Sequence, residues 1–494
     1  MPDLRVSTVS GGIHVFDGAM IDRFAAGLRG ELVRMDDPRY DELRRIWNGA
    51  HDRRPAAIVR CMGVGDVVDA VNLAREHDLL VSVRGGGHNV AGTSLTDGGL
   101  MIDLSPMKGV RVDPVGMTAF AQPGCTWADL DRETQVFGLM TPGGNISSTG
   151  IAGLTLGGGM GWYRRAFGMS CDNLLAADIV TADGQLRTVD AAREPDLFWA
   201  LKGGGGNFGI VTSFKYRLHP LGPTVLLAAT MYPMESGVAA LRHLRAFCDA
   251  APDETGAYAF FMTVPSAEAF PPELHGRPVV VLAGTYAGPL GEAEAALAPL
   301  REFDGPLLDM TTPLPYVALQ QAFDWVFPKG NRYYWKTTNL RSLDDATCEA
   351  IVEVGLNRSS DGTVMGIWQL GGALSRARSE DSAYTRRDVP YLVNIDCGWL
   401  EAVETDRHVA WTRQAWQKLQ PFSDGASYLH YDSPAHEDEV RAFYGAAYDR
   451  LVEIKRAYDP ANMFRLNQNI RPDPAPGTIA MPSPTTEERP IADA

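Results

Sequence analysis

Short β-branched runs alternate with amphipathic stretches and glycine-rich breaks from Arg54 to about His219, the pattern of a mixed α/β region. "AAIVRCM" reads as a strand. In the following "GDVVDAVNLAREHD", the residues Val67, Val68, Val71, Leu73 and Ala74 form an apolar stripe at helical spacing, beginning after a cap at Asp66. "LLVSV" is the next strand. It runs straight into three glycines, so "VSVRGGGHNVAG", residues 81–92, is a strand-to-loop turn beneath a helix. "GLMIDL", "GVRVDP" and "TAFAQPG" continue the strands, and "AADIVTADGQLRTVD" predicts a hairpin around Asp183 and Gly184.

From about Pro223 to Pro421 the pattern changes. Strands such as "TVLLAATMYP", "PVVVLAGTYAG" and "VPYLVNIDCGWL" alternate with helices such as "GEAEAALAPLREF" and "DRHVAWTRQAWQKL", which predicts a sheet with covering helices. One long amphipathic helix is expected from Glu437 to Tyr458, running into "DPANMFRLNQNI". The tail after Arg471 is rich in proline, threonine and serine and has little to bury. No internal repeat is visible.

Length and composition refine this picture. A chain of 494 residues, 45% hydrophobic and 9% aromatic, has room for two or three domains around a large core. Sixty-one acidic against 45 basic residues give a net charge of −16, which repels polyanions, so no nucleic acid and no anionic membrane surface is expected as the main partner. Small neutral or cationic ligands fit better. The six cysteines show neither metal-site nor disulfide spacing and read as reduced thiols. "MPDLRVSTVSGG" lacks a basic start followed by an apolar core, and no apolar run reaches membrane-spanning length, so a cytoplasmic protein is expected.

The candidate chemistry lies in the glycines. Gly85, Gly86 and Gly87 could let backbone N–H groups converge on an anion, although a three-glycine run is also what a tight strand connection uses. Two more such stretches follow. "PGGNISSTGIAGLTLGGGMGW", residues 142–162, interleaves glycines with Ser147, Ser148 and Thr149, and "LKGGGGNFGIVTSF", residues 201–214, feeds an apolar strand. Three such loops suit a long diphosphate-containing cofactor in an extended pose. Neither a dinucleotide fingerprint opening a helix nor a P-loop is present, and no metal-ligand spacing occurs.

The order "VRGGGHNVAG", "GIAGLTLGGGMGWYRRAFGMSCDNLLAADIVTADG", "DLFWALKGGGGNFGIVTSF" and "YDPANMFRLNQNI" resembles the berberine-bridge-enzyme-like branch of the vanillyl-alcohol-oxidase flavoproteins, from about Pro55 to Ile470. The resemblance implies an α+β fold: a p-cresol-methylhydroxylase-type FAD-binding domain, residues 1–222, plus a substrate domain, 223–425, with an antiparallel sheet covered by helices. A C-terminal berberine-like segment, 426–494 with its tail 471–494, would return to the FAD domain. It further implies FAD attached covalently through His88, the histidine behind the glycines. A neutral imidazole is a competent nucleophile near neutral pH.

The implied cofactor-binding positions are Arg84, Gly85, Gly86, Gly87, His88, Asn89 and Gly92 in the first loop. The second loop adds Ser148, Thr149, Gly150, Gly153, Leu154, Thr155, Gly158 and Tyr163, and Ile210, Asn467 and Asn469 complete the set. Many relatives carry a second link through a cysteine upstream of the later glycines; here Ile146 stands at that place, so a single histidyl bond is expected, with Cys171 assigned to packing. The other histidines, such as His14, His51 and His219, read as ordinary solvated or hydrogen-bonded side chains.

The resemblance also implies hydride transfer from substrate to flavin while a base takes a proton. The first tyrosine of a "YxNY" strand often serves, and "YLHY" makes Tyr428 the candidate, with His430 in place of the asparagine. As an aromatic on a strand, Tyr428 could equally be packing. Gln369 in "GIWQLGG" could orient substrate or be an ordinary strand residue. Three functions stay open: an oxidase acting on an alcohol, hydroxylated ring or amine with O2 as electron acceptor; a dehydrogenase using another acceptor, with Ile151 as the oxygen gate; and a non-catalytic flavin-binding protein.

Overall fold

The computed structural model describes residues 2–428, 431–433 and 437–472. The expectations for His430 and for the tail beyond residue 472 fall outside the described residues.

Strands β1 (Glu31–Arg34), β2 (Ala57–Arg60), β3 (Val81–Arg84) and β4 (Leu100–Asp103) form a sheet in the order β1-β2-β4-β3. β4 is parallel to both β2 and β3, and β1 pairs antiparallel with β2. Parallel strands need a crossover. Helix α1 (Val64–Glu76) supplies it, burying Val67, Val71, Leu73 and Ala74 in the core of this sheet. Its N-cap is Gly63, not Asp66. Asp66 sits inside the first turn, where its carboxylate accepts from the backbone N–H groups of Arg29, Gly30 and Met62 at 2.7–3.0 Å. That acidic side chain still favours the positive end of the helix, but it ties two loops together and does not begin the helix.

A second, antiparallel sheet contains β5 (Val110–Asp113), β6 (Thr118–Ala121), β7 (Leu174–Val180), β8 (Leu186–Asp190) and β9 (Ile210–Arg217), in the order β8-β7-β9-β6-β5. The hairpin between β7 and β8 turns at Asp183 and Gly184, with Gly184 at φ +79°. Helices α2 (Trp127–Gln135) and α3 (Ile151–Leu156) lie in the connection between β6 and β7.

The largest sheet is built from β10 (Thr224–Pro233), β11 (Thr255–Thr263), β12 (Pro278–Tyr286), β13 (Leu308–Asp309), β14 (Thr312–Pro315), β15 (Arg332–Leu340), β16 (Val364–Gln369) and β17 (Tyr391–Trp399). Their order is β13-β10-β12-β11-β16-β17-β15, with β14 also on β10, and every pairing is antiparallel. Helices α4 (Gly237–Ala250), α5 (Leu290–Arg301), α6 (Asp345–Leu356) and α7 (Thr405–Leu419) cover one face. Leu241, Leu297, Ile351 and Leu419 pack there against Val280, Ile367, Val393 and Ile395. Because side chains alternate across a strand, Asn394 and Asp396 of β17 point to the opposite face, beside Trp335 of β15 and Val364 of β16.

The C-terminal helix is broken. α8 (Glu437–Tyr444) and α9 (Tyr448–Tyr458) meet at a 3-10 turn where Gly445 has φ +49°. Phe443, Tyr444, Ala447, Tyr448 and Leu451 are buried across the break, so the apolar periodicity runs on through it and the sequence shows one helix. Among the described residues, no helix is long and apolar enough to cross a membrane.

Candidate functional site

β3 carries the first glycine loop to its place. At its end Arg84 donates to Asp103 of β4, Nε to Oδ1 at 2.9 Å and Nη2 to Oδ2 at 2.6 Å, and to the carbonyl of Leu43. Burial would raise Asp103, but the Arg84 charge and hydrogen bonds outweigh it and hold the carboxyl below the usual range. Arg84 is therefore spent on fastening the strand end and does not line the cavity beyond it.

The first two glycine loops meet backbone to backbone. A Cβ on Gly86 would lie 2.5 Å from the Cα of Gly150, and one on Gly150 would lie 2.5 Å from the N of Gly86. Only glycine allows that approach. The loops wall a cavity of about 260 Å³ lined by Gly85, Gly86, Gly87, His88 and Asn89, by Thr149, Gly150, Gly153 and Leu154, and by Ile210. The third loop closes it from another side through Gly205, Gly206 and Gly209.

The C-terminal segment completes this part. Lys455 Nζ donates to Asp459 Oδ2 at 2.6 Å, to Asn207 O at 2.7 Å and to Phe464 O at 3.0 Å, in a fully buried ion pair. Asn207 in turn accepts from the N–H of Ile470 and donates to the carbonyl of Gln468. These bonds hold Asn467 and Gln468 at the cavity wall. The Oδ1 atoms of Asn467 and Asn469 are buried without a partner among the described residues.

His88 stands where the glycine-lined part ends. Its Nε2 lies 3.1 Å from Ser148 Oγ, and its ring stacks on Trp47 at 4.3 Å and 19°. Trp47 is sandwiched from behind by Tyr333, 4.1 Å away and nearly parallel. Desolvation pushes the imidazole down to about 3, so the ring is neutral at physiological pH.

Beyond His88 the cavity becomes aromatic, lined by Phe260, Phe323, Phe327, Trp335, Trp368 and Tyr431. In its wall a relay fixes one carboxyl: Trp368 Nε1 donates to Asn394 Oδ1 at 2.5 Å, and Asn394 Nδ2 donates to Asp396 Oδ2. Asp396 is 5% exposed, and its Oδ1 has no hydrogen-bond partner among the described residues. Desolvation raises this carboxyl well above the carboxylate range, and the nearby Asp432 raises it further. No lysine or arginine lines the cavity among the described residues. The nearby Arg164 guanidinium is buried behind Trp368, bonded to Tyr258 Oη and to the carbonyl of Gln369.

Tyr428 lines the cavity, and its hydroxyl accepts from the N–H of Gly159 at 2.9 Å. Burial raises the phenol well above its ordinary value, which keeps it protonated. Gln369 lies off the cavity lining, where its Nε2 donates to the carbonyl of Cys248.

Several implied cofactor positions also lie off the lining. Gly92, at φ +70°, lies against the ring of His51. Thr155 Oγ1 is bonded to Tyr216 Oη at 2.8 Å. Gly158 lies under Met169 and Tyr384, Tyr163 stacks near Tyr316, and Asn469 is half-buried with its Oδ1 enclosed. These residues shape the loops from behind. Cys171 is buried away from the cavity, whereas Ile146 lines it. Ile151 is fully buried and off the lining.

Asp396, Asn394 and Trp47 escaped the sequence reading. The signal for the first two was present: in "YLVNIDCGW" two polar residues at i and i+2 interrupt one face of an otherwise apolar strand. Trp47 carries no such local mark.

The cavity fits a dinucleotide on two grounds. Gly153 and Gly206 face open space where any side chain would intrude, and Asn467 Oδ1, on the cavity lining and without a partner among the described residues, offers a buried acceptor to a ligand. Comparison with known proteins agrees. Residues 55–190 match the family described as FAD binding domain, and residues 427–471 match the one described as berberine and berberine like. The (R)-6-hydroxynicotine oxidase of Paenarthrobacter nicotinovorans is 30% identical over 458 residues, covering 90% of this chain and 97% of that protein. An FAD-linked oxidoreductase of Bacillus subtilis (strain 168) is 30% identical over 463 residues, with the same coverage of each. The crystal structure of 6-hydroxy-D-nicotine oxidase from Arthrobacter nicotinovorans has a TM-score of 0.82 at 28% identity, over 90% of this chain and 99% of that one.

Proposed function

This chain belongs to the berberine-bridge-like family of FAD-linked oxidoreductases, and from that premise we propose that it is an oxidase, tethered to FAD through His88, that dehydrogenates a small molecule in the aromatic compartment. The observation that carries the reading is one continuous cavity, glycine-walled at one end and aromatic at the other, with an unpartnered carboxyl oxygen in the aromatic end. The chemistry that FAD supplies when bound is acceptance of a hydride from a substrate carbon and delivery of the electrons to dioxygen, with hydrogen peroxide as product.

The protein's own residues do the rest. Asn467 and the glycine loops would hold the dinucleotide. Ser148 and the face of Trp47 fix the neutral ring of His88, so that its nitrogen is available as a nucleophile. The aromatic walls exclude water. Asp396 Oδ1 takes the proton that leaves the substrate heteroatom, while Oδ2 stays anchored by Asn394. The Tyr428 hydroxyl, fixed by the Gly159 N–H, positions the substrate.

The test is anaerobic flavin reduction by a substrate found through a peroxide-release screen of alcohols and amines. Asp396→Asn should slow reduction by about 10²–10⁴-fold, the usual contribution of a positioned base, with the flavin content of the protein unchanged. Reduction at the wild-type rate in that variant removes Asp396 from the role. Reduced protein that fails to reoxidise promptly in air would instead assign another electron acceptor.

A further inference from the structure

Among the described residues, Asp396 is the one carboxyl on the cavity lining, and no lysine or arginine joins it there. Asp396 Oδ2 is occupied by the Asn394 amide, Oδ1 is unpartnered among the described residues, and the side chain is 95% buried by its 5% exposure. Around it the sheet face presents rings: Trp335 stands directly across from Asp396 in the β15–β17 register, Tyr431 meets Trp335 at 5.9 Å and Trp368 at 6.4 Å between centroids, and Phe327 meets Trp335 at 5.1 Å. No cationic side chain lines the cavity among the described residues, and Arg164 is used up behind Trp368. A buried acceptor without a partner is a cost that a ligand can relieve. A carboxyl on the lining of a cavity walled by aromatic rings suits an organic cation, since an ionised carboxyl and ring faces both attract positive charge.

We propose that the aromatic compartment selects a hydrophobic amine, held as its ammonium form with an N–H donated to Asp396 Oδ1 between Trp335 and Tyr431. This rests on the proposed function and narrows its substrate class. Proton accounting is closed on either route. An amine arriving as the free base takes the proton from the Asp396 carboxyl, and one arriving protonated displaces that proton to solvent; both leave one ammonium–carboxylate pair. A neutral hydroxyl can hydrogen-bond the Asp396 carboxyl but forms no ion pair, and an anion meets the negative ring faces with no lysine or arginine on the lining among the described residues. Burial raises the affinity of Asp396 for its proton, and an ammonium beside Oδ1 would lower it again.

The experiment uses the FAD-loaded protein without oxygen and three size-matched probes: N-methylbenzylamine, benzyl methyl ether and phenylacetate. Dissociation constants are read from quenching of tryptophan fluorescence and by calorimetry. The amine should bind at least about tenfold more tightly than the ether, as expected for a desolvated cation on rings and a charged hydrogen bond, and phenylacetate should not compete. In Asp396→Asn the preference should vanish while ether binding and bound flavin stay the same. An ether that binds as well as the amine, no binding of either, or a preference that survives in Asp396→Asn overturns the proposal. Flavin content separates the two failures: protein that carries no FAD refutes the proposed function, and FAD-loaded protein without amine preference refutes only the substrate class.

Discussion

Desolvation sets the protonation of the two side chains on which the proposed chemistry turns, and it acts in opposite senses. It drives His88 down to about 3, leaving a neutral nucleophile, and drives Asp396 up, leaving a carboxyl that must ionise before it can accept a proton. The rate of flavin reduction should therefore rise with pH until Asp396 is ionised, and Asp396→Asn should lack that limb. A wild-type rate flat across the same range places the base elsewhere. Arg84 and Asp103 form the residue-level support of the site. Asp103 is held below its unfolded value, so its contribution is complete above that value and is lost as pH falls through the folded one. Asp103→Asn strands the buried Arg84 guanidinium and should destabilise the protein by about 3–5 kcal/mol, read from its denaturant midpoint. An unchanged midpoint would show that the Asp103 carboxylate, paired with Arg84 and 3.3 Å from Arg60, adds nothing to stability.

The elements that build the site are loops locked by close backbone approach, and their strictest requirement lies between Gly86 and Gly150. Gly150→Ala places its Cβ 2.5 Å from Gly86 N and 2.7 Å from Gly86 Cα, with backbone on both sides and no flexible side chain to yield. The loops must separate, and the flavin retained per chain should fall sharply while the circular dichroism of the fold persists. Gly65→Ala, in open space on α1, is the control and should retain full flavin. At this scale the sequence was informative where periodicity was local: the strands around residues 57–60, 81–84 and 100–103 and the turn at Gly184 stand where the pattern put them. It was misleading where caps and breaks lack a side-chain signature, as at Gly63, and where one apolar stripe spans two helices, as at Gly445.

Over the whole molecule, the site is a meeting of segments far apart in the chain. Trp47, His88, Ser148, Tyr333, Asp396 and Asn467 are brought together by three sheets and by the Lys455–Asp459 anchor of the C-terminal segment. The glycine loops and His88 were legible because each motif is contiguous. The stacking of Trp47 and the orientation of Asp396 were not, because which face of a strand looks into a cavity depends on partners in other elements. Gln369 shows the same limit from the other side, since its neighbour Trp368 reaches the cavity while Gln369 bonds to Cys248. The account centres on FAD tethered at His88, and mass spectrometry of a digest of the purified, acid-denatured protein tests it most directly. The account predicts that the peptide containing His88 carries one FAD less two hydrogen atoms, with all the yellow colour on the polypeptide and none on it in His88→Ala. An unmodified His88 peptide, with flavin absent or released into the supernatant, would contradict it.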